Sequence, residues 1–142
     1  MTAPNFTTER LSLRPIAEED IDDMAAMDAD PDVIRFIGDG TIPEPVAHRQ
    51  ELTGWIDDSK DPPGMSMWSA RALAKHERFL GWVMLYPLPG WEPDVEIGWR
   101  FAKAAWGCGY ASEAARAIMK HGFENVGLEK IVAVLDPENQ RS

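Results

Sequence analysis

Leu11-Ser12-Leu13-Arg14 alternates apolar and polar positions before Pro15, which predicts a short strand with one face on a core. Residues 17–27 then change to a helical period. Glu18, Glu19 and Asp20 crowd the first turn, where negative charge complements the helix dipole, and Ile21, Met24 and Ala25 share one face. Asp30-Pro31 joins a capping carboxylate to a proline suited to a first helical position. A short helix carrying Val33, Ile34 and Ile37 is expected there, stopping before Gly38-Asp39-Gly40. Pro43 or Pro45 opens a further helix through Leu52, Trp55 and Ile56, and 57–64 reads as a polar loop.

The pattern then changes. Residues 65–73 and 78–85 predict two strands joined by a turn at 74–77. A turn-rich connection, YPLPGWE, leads to a third strand at 94–100, with Val95, Ile97 and Trp99 on one side. After AWGCG, residues 111–123 predict a helix, and Gly127 is its stop signal. The continuous apolar run at 130–135 predicts an internal strand that Asp136-Pro137 closes. This order predicts an α/β (α+β) fold: a mixed, mostly antiparallel sheet flanked by helices. Its last strand–helix–strand unit should join parallel strands by a right-handed crossover.

With 142 residues and 44% apolar content, the expectation is a single domain over 1–142 with a buried core. One cysteine rules out an internal disulfide framework, and no Cys/His cluster has zinc spacing, so no metal is expected. No window approaches the about 18 consecutive apolar residues of a membrane span. MTAPNFTTER lacks the basic and apolar regions of a leader, so the expectation is a cytoplasmic protein with no membrane partner. Net charge is −10, and it is uneven: residues 1–100 hold 9 Lys/Arg against 19 Asp/Glu, residues 101–142 hold 5 against 5. That argues against a nucleic-acid partner, which needs basic surface, and tolerates a cationic or amine-bearing one.

The candidate chemistry starts at AWGCGYASE, residues 105–113. A strand enters this stretch and a helix leaves it. The first N–H groups of a helix lack intrahelical partners and can hold a phosphate or carboxylate. Gly107 and Gly109 remove side chains from that mouth, and Ser112 offers a hydroxyl. With no lysine present, the pattern suits a large ligand held at its pyrophosphate rather than a phosphate in transfer. A tight turn before a packed helix explains the same spacing. The stretch lacks the ending of a Walker loop, and Ser112 stands where a dinucleotide fingerprint needs its third glycine.

The block EIGWRFAKAAWGCGYASEAARAIMKHGFENVGLEKIVAVLDPENQRS, with TERLSLRPIAEEDIDDMAAM at the front, resembles the GNAT superfamily of N-acetyltransferases, nearest to its Rim-type ribosomal-protein N-terminal branch. The resemblance implies acetyl-CoA as cofactor, and a primary amine as acceptor, on a protein N-terminus or a small molecule. The family's cofactor turn falls on Trp106, Gly107, Cys108, Gly109, Tyr110 and Ala111, with Trp106 in place of the more usual Gln or Arg. Backbone amides at Gly107, Gly109, Ala111 and Ser112 would hold the pyrophosphate. The strands that splay apart to admit the pantetheine arm would be 94–100 and 130–135. Trp99, Arg100 and Phe101 would line that splay, and Asn139 would sit beside the cofactor. Glu96 is the implied catalytic base, with Asp94 and Glu92 as runners-up, and its parity is opposite to that of Val95 and Ile97. Trp91, in the Pro/Gly loop, is expected at the acceptor pocket. His48, His76 and His121 are expected in structural or surface roles, and Cys108 as a turn residue.

Family members continue past Asn-Gln-Arg-Ser with another helix and further strands, so the fold is expected to be C-terminally incomplete. An unfinished sheet edge favours association, a homodimer included. A non-catalytic acyl-CoA-binding module is the second reading, motivated by Trp106 and by the lack of a self-evident base.

Overall fold

The computed structural model describes residues 2–134. Five strands form one sheet in chain order: β1 (Phe6–Thr7), β2 (Leu11–Pro15), β3 (Ser66–Ala72), β4 (Phe79–Pro87) and β5 (Val95–Phe101). Every neighbouring pair is antiparallel. A single parallel bridge, Glu96 to Val132, lies beyond β5. The sheet is therefore mixed and mostly antiparallel, as the pattern predicts, and among the described residues only that bridge continues it past β5.

Four α-helices accompany it: α1 (Ile21–Asp28), α2 (Pro31–Ile34), α3 (Pro45–Asp58) and α4 (Tyr110–His121). Alternate strand residues point to opposite faces, and here both faces are covered. On one, Leu11, Leu13, Trp68, Val83 and Ile97 pack with Ala114, Ala115 and Ile118 of α4. Alanines let α4 lie close to the sheet. On the other, Ile16, Met67 and Trp82 pack with Met24 of α1 and Leu52 and Ile56 of α3. Burying a side chain such as Ile118 or Leu52 stabilises the fold by about 1.5–3 kcal/mol before entropy is counted.

Several expected boundaries shift. Residues 17–27 do not form one helix: a 3-10 turn at Glu18–Asp20 precedes α1. The Asp20 carboxylate accepts from the Ala17 N–H and from Arg71, which fixes that tight turn. The helix around Val33 is one turn long, and Ile37 falls outside it. Of the two prolines, Pro45 starts α3, where Glu44 accepts from the Val46 and Ala47 N–H groups. The last helix ends at His121 and widens into a π turn, Gly122–Val126, before Gly127 at φ 85° stops it. His121 is buried there: its Nε2–H donates to the Gly64 carbonyl at 2.6 Å and Nδ1 accepts from Asn125. The run at 130–135 does not pair as a full strand among the described residues; only Val132 bridges. Leu135 and Asn139 lie outside the described residues.

Candidate active site

The glycine turn opens between β5 and α4. Gly107 has φ 76° and Gly109 φ 80°, both in the left-handed region that a Cβ disfavours. A Cβ on Gly107 would meet nothing within 4 Å, so the space over the turn is open. Gly109 is the cap residue of α4 and no side chain caps the helix. The N–H groups of Tyr110, Ala111 and Ser112 therefore face outward, at the positive end of a twelve-residue helix.

The turn is held from behind. Nη1 of Arg10 donates to the Cys108 carbonyl at 2.8 Å, and its guanidinium stacks on Tyr110 at 4.4 Å. The Trp106 indole N–H donates to the Phe101 carbonyl at 2.8 Å. Glu113, one turn into α4, accepts from Thr8 and from Arg10.

The edge of β5 continues this surface. The Ile97 N–H donates to the Val132 carbonyl at 2.8 Å and the Val132 N–H to the Val95 carbonyl at 2.9 Å. Odd-numbered residues of β5 thus turn their backbone groups away from β4. The two-residue period gives Trp99 the same direction, beyond the single bridge. The even-numbered side alternates correctly: the Ala102 N–H bonds back to Leu80.

Side chains at even positions face α1 and α3. There Arg100 meets Asp28, the last residue of α1, Nη1 to Oδ1 at 3.0 Å. The other carboxylate oxygen of Asp28 takes Nε2 of His48 at 2.7 Å. Asp28 is fully buried and His48 nearly so. Arg100 also lies over the Trp82 and Trp55 rings, at 5.2 and 5.9 Å from their centroids. This network floors a cleft of about 290 Å³. Ile34, Ile37 and Pro43 line it with apolar surface, and α3 with its cap lines it with Glu44, Ala47, His48, Glu51 and Trp55.

Residues 10–142 match the acetyltransferase (GNAT) domain family. The chain belongs to that family. The Bacillus subtilis (strain 168) protein YkkB is 32% identical over 139 residues, spanning 96% of this chain and 78% of YkkB. FsC-acetyl coenzyme A-N(2)-transacetylase of Aspergillus fumigatus is 29% identical over 136 residues; the match takes in 91% of this chain and only 57% of the fungal protein. The crystal structure of an acetyltransferase from Agrobacterium tumefaciens str. C58 superposes with a TM-score of 0.79 at 25% identity, over 99% of this chain and 78% of that one.

For a GNAT chain, the turn is a fit for the pyrophosphate of acetyl-CoA: open space over Gly107, outward amides from Tyr110 to Ser112, and Arg10 close behind. Gly107, Cys108 and Gly109 are exposed, and Tyr110 and Ala111 half-buried. The residues singled out on β5 divide between two surfaces. Trp99 packs on the α4 side and Phe101 is buried there, leaving their backbone to the edge. The Arg100 side chain does not reach the edge, because Asp28 and two indoles hold it on the opposite face. Glu96 shares that face but stands four residues, about 13 Å, along the strand; burial pushes its carboxyl pKa up. Trp91 does not line the cleft and is 68% exposed. Three backbone hydrogen bonds among Leu88, Trp91 and Asp94 close its connection tightly. Asp28, His48 and Glu51 carried no local signal of a site. Asp28 and Arg100 are 72 positions apart, so only the fold brings them together.

Among the described residues no group of three or more His, Cys, Asp or Glu side chains could hold a metal ion, and no helix is long and apolar enough to cross a membrane.

Proposed function

We propose that this GNAT chain belongs to an enzyme that transfers acetyl from acetyl-CoA to a primary amine, on a protein N-terminus or a small molecule, by direct attack. The observation that carries the reading is the open, uncapped turn at Gly107–Gly109, pinned behind and continuous with the outer edge of β5. The name of the fungal relative, a transacetylase acting at nitrogen, agrees with an amine acceptor. Within the family the block around the turn speaks for the Rim-type branch. We include in the reading a cytoplasmic location, no nucleic-acid partner, and a homodimer as the associated state.

Acetyl-CoA, when bound, supplies an acyl carbon activated by its thioester. The outward amides of Tyr110, Ala111 and Ser112 bind the pyrophosphate charge, aided by the α4 dipole. The backbone groups of Trp99 would hold the pantetheine arm of bound acetyl-CoA, and its N–H would serve to stabilise negative charge on the acyl oxygen. Glu96, with its pKa raised by burial, receives the proton that the nitrogen sheds as the amide forms.

Calorimetric titration of acetyl-CoA into the 142-residue chain, followed by thiol release with peptide, polyamine and small-amine panels, tests this. One-to-one heat and amine-dependent thiol support it. Folded protein giving no heat would sink it. Tight binding without turnover, unchanged in Glu96→Gln, would favour a non-catalytic binding module instead.

A further inference from the structure

The base of the cleft holds a second group able to take a proton, separate from Glu96. Nε2 of His48 lies 2.7 Å from Asp28 Oδ2, while Oδ1 accepts from Arg100. A carboxylate has only lone pairs to offer, so Nε2 carries the hydrogen and donates it. The lone pair is then on Nδ1. Oε1 of Glu51 lies 3.6 Å from Nδ1, too far for a hydrogen bond. Glu51 is itself more than half exposed, at the cleft's mouth.

We infer that His48 takes the proton from an amine that enters the cleft as its ammonium ion. This rests on the proposed acetyl transfer to an amine. An ammonium nitrogen has no lone pair and cannot attack, so one proton must leave first. In that step an N–H bond of the ammonium breaks, its electron pair stays on nitrogen, and the proton bonds to Nδ1. The imidazolium returns it to solvent past Glu51. Asp28 is a positioning residue: it accepts the Nε2–H and so fixes the tautomer. Arg100 in turn fixes Asp28.

The surroundings suit both charge states. From α1, Asp28 faces the ring; from β5, Arg100 stands behind Asp28; from α3 itself come Glu51 and the edge of Trp55, and from its cap Glu44. From the end of α2 and the loop after it come Ile34, Ile37 and Pro43, with Thr41 the one hydroxyl. Two carboxylates at the mouth, Glu51 and the helix-capping Glu44, against one guanidinium already paired with Asp28 draw a cation inward. The apolar surface then takes its hydrocarbon part. A short alkylamine or arylalkylamine matches both the charge and a cleft of about 290 Å³.

Two measurements test the inference, using phenethylamine as probe. The first needs no turnover: imidazole nitrogen NMR of the chain should show His48 as the Nε2–H tautomer, with the Nδ1 resonance shifting on amine addition, with or without coenzyme A. A hydrogen on Nδ1 in the neutral ring, or an Nδ1 signal indifferent to amine under both conditions, overturns it. The second is the pH profile of kcat/KM for acetyl transfer. His48→Gln keeps an N–H for Asp28 but removes the lone pair. It should lower kcat/KM about 10²-fold near neutrality, with recovery at alkaline pH where solvent delivers free amine. A parallel profile with no alkaline recovery would mean a structural role only and would overturn it. Wild-type chain that binds acetyl-CoA, acetylates amines and is matched by His48→Gln defeats this inference alone. Wild-type chain that transfers acetyl to no amine defeats the proposed function and this inference together.

Discussion

Arg10 and Glu113 stand 103 positions apart and close a two-point clasp: the Arg10 backbone N–H donates to Oε2 at 2.8 Å and its Nε to Oε1 at 2.7 Å. Thr8 adds a hydroxyl donor to the same carboxylate. The clasp joins the β1–β2 turn to the first turn of α4, directly under the cofactor turn.

Its pH dependence follows from the Glu113 carboxyl. Burial alone would raise its pKa, but the hydrogen bonds from Thr8 and Arg10 outweigh that and hold it below the ordinary glutamate value. A depressed carboxylate stabilises the fold above its unfolded pKa and loses that contribution as pH falls through the folded value. Urea unfolding of Glu113→Gln should therefore show its largest deficit against wild type at neutral pH. The two proteins should converge in acid below the glutamate range. An equal deficit at all pH values would refute the assignment.

Much of the scaffold was legible in the chain because its signals are local. Alternation marked β2 and β5, two strand-like runs about a turn marked β3 and β4, Asp30-Pro31 and the choice of Pro43 or Pro45 marked helix starts, and Gly127 marked the stop after α4. What escaped is set at long range. A two-residue strand, Phe6–Thr7, is too short to carry a period. The apolar run after Gly127 promised a strand, yet a continuous apolar pattern reports burial and not pairing, and among the described residues only Val132 bridges. At the site the turn could be found from two glycines. The cleft could not, since Asp28 and His48 look like ordinary helix-surface residues until α1, α3 and β5 are packed together.

Glu96 has the opposite titration sense to Glu113. Burial raises its pKa, so the folded state favours its proton. That contribution is present below the unfolded pKa and is lost as pH rises through the folded one. Glu96→Gln should raise Tm by about 1–2 °C at neutral pH and by nothing in acid. Scanning calorimetry at the two conditions decides this. A lower Tm for the variant at neutral pH would mean that Glu96 holds a stabilising charge.

Asp28 is buried with two cationic or donor partners on it. Asp28→Ala leaves Arg100 uncompensated beside two indoles, so it should cost about 3–5 kcal/mol. The double substitution Asp28→Ala, Arg100→Met should recover a large part of this. Urea midpoints for the single and double variants give the coupling directly, and additive losses would show that the pair is not interacting.

Gly109 separates the two roles of the cofactor turn. At φ 80° an alanine is strained, and its Cβ would lie 3.4 Å from Nη2 of Arg10. Gly109→Ala should cost about 1–2 kcal/mol of stability and weaken acetyl-CoA binding as the outward amides tilt. Gly107 shares the positive φ but has open space, so Gly107→Ala should cost a similar amount in stability. Calorimetry on both variants distinguishes crowding from strain.

The ties from Trp106 to Phe101 and from Arg10 to Cys108 exist in the chain before anything binds. The loop's conformational freedom is thus surrendered during folding, and a phosphate ligand meets a receptor already shaped. On the proposed reading, recognition of the pyrophosphate at this end is lock-and-key. Its association should be a single fast phase whose rate rises linearly with ligand concentration, with no slow step of rearrangement behind it.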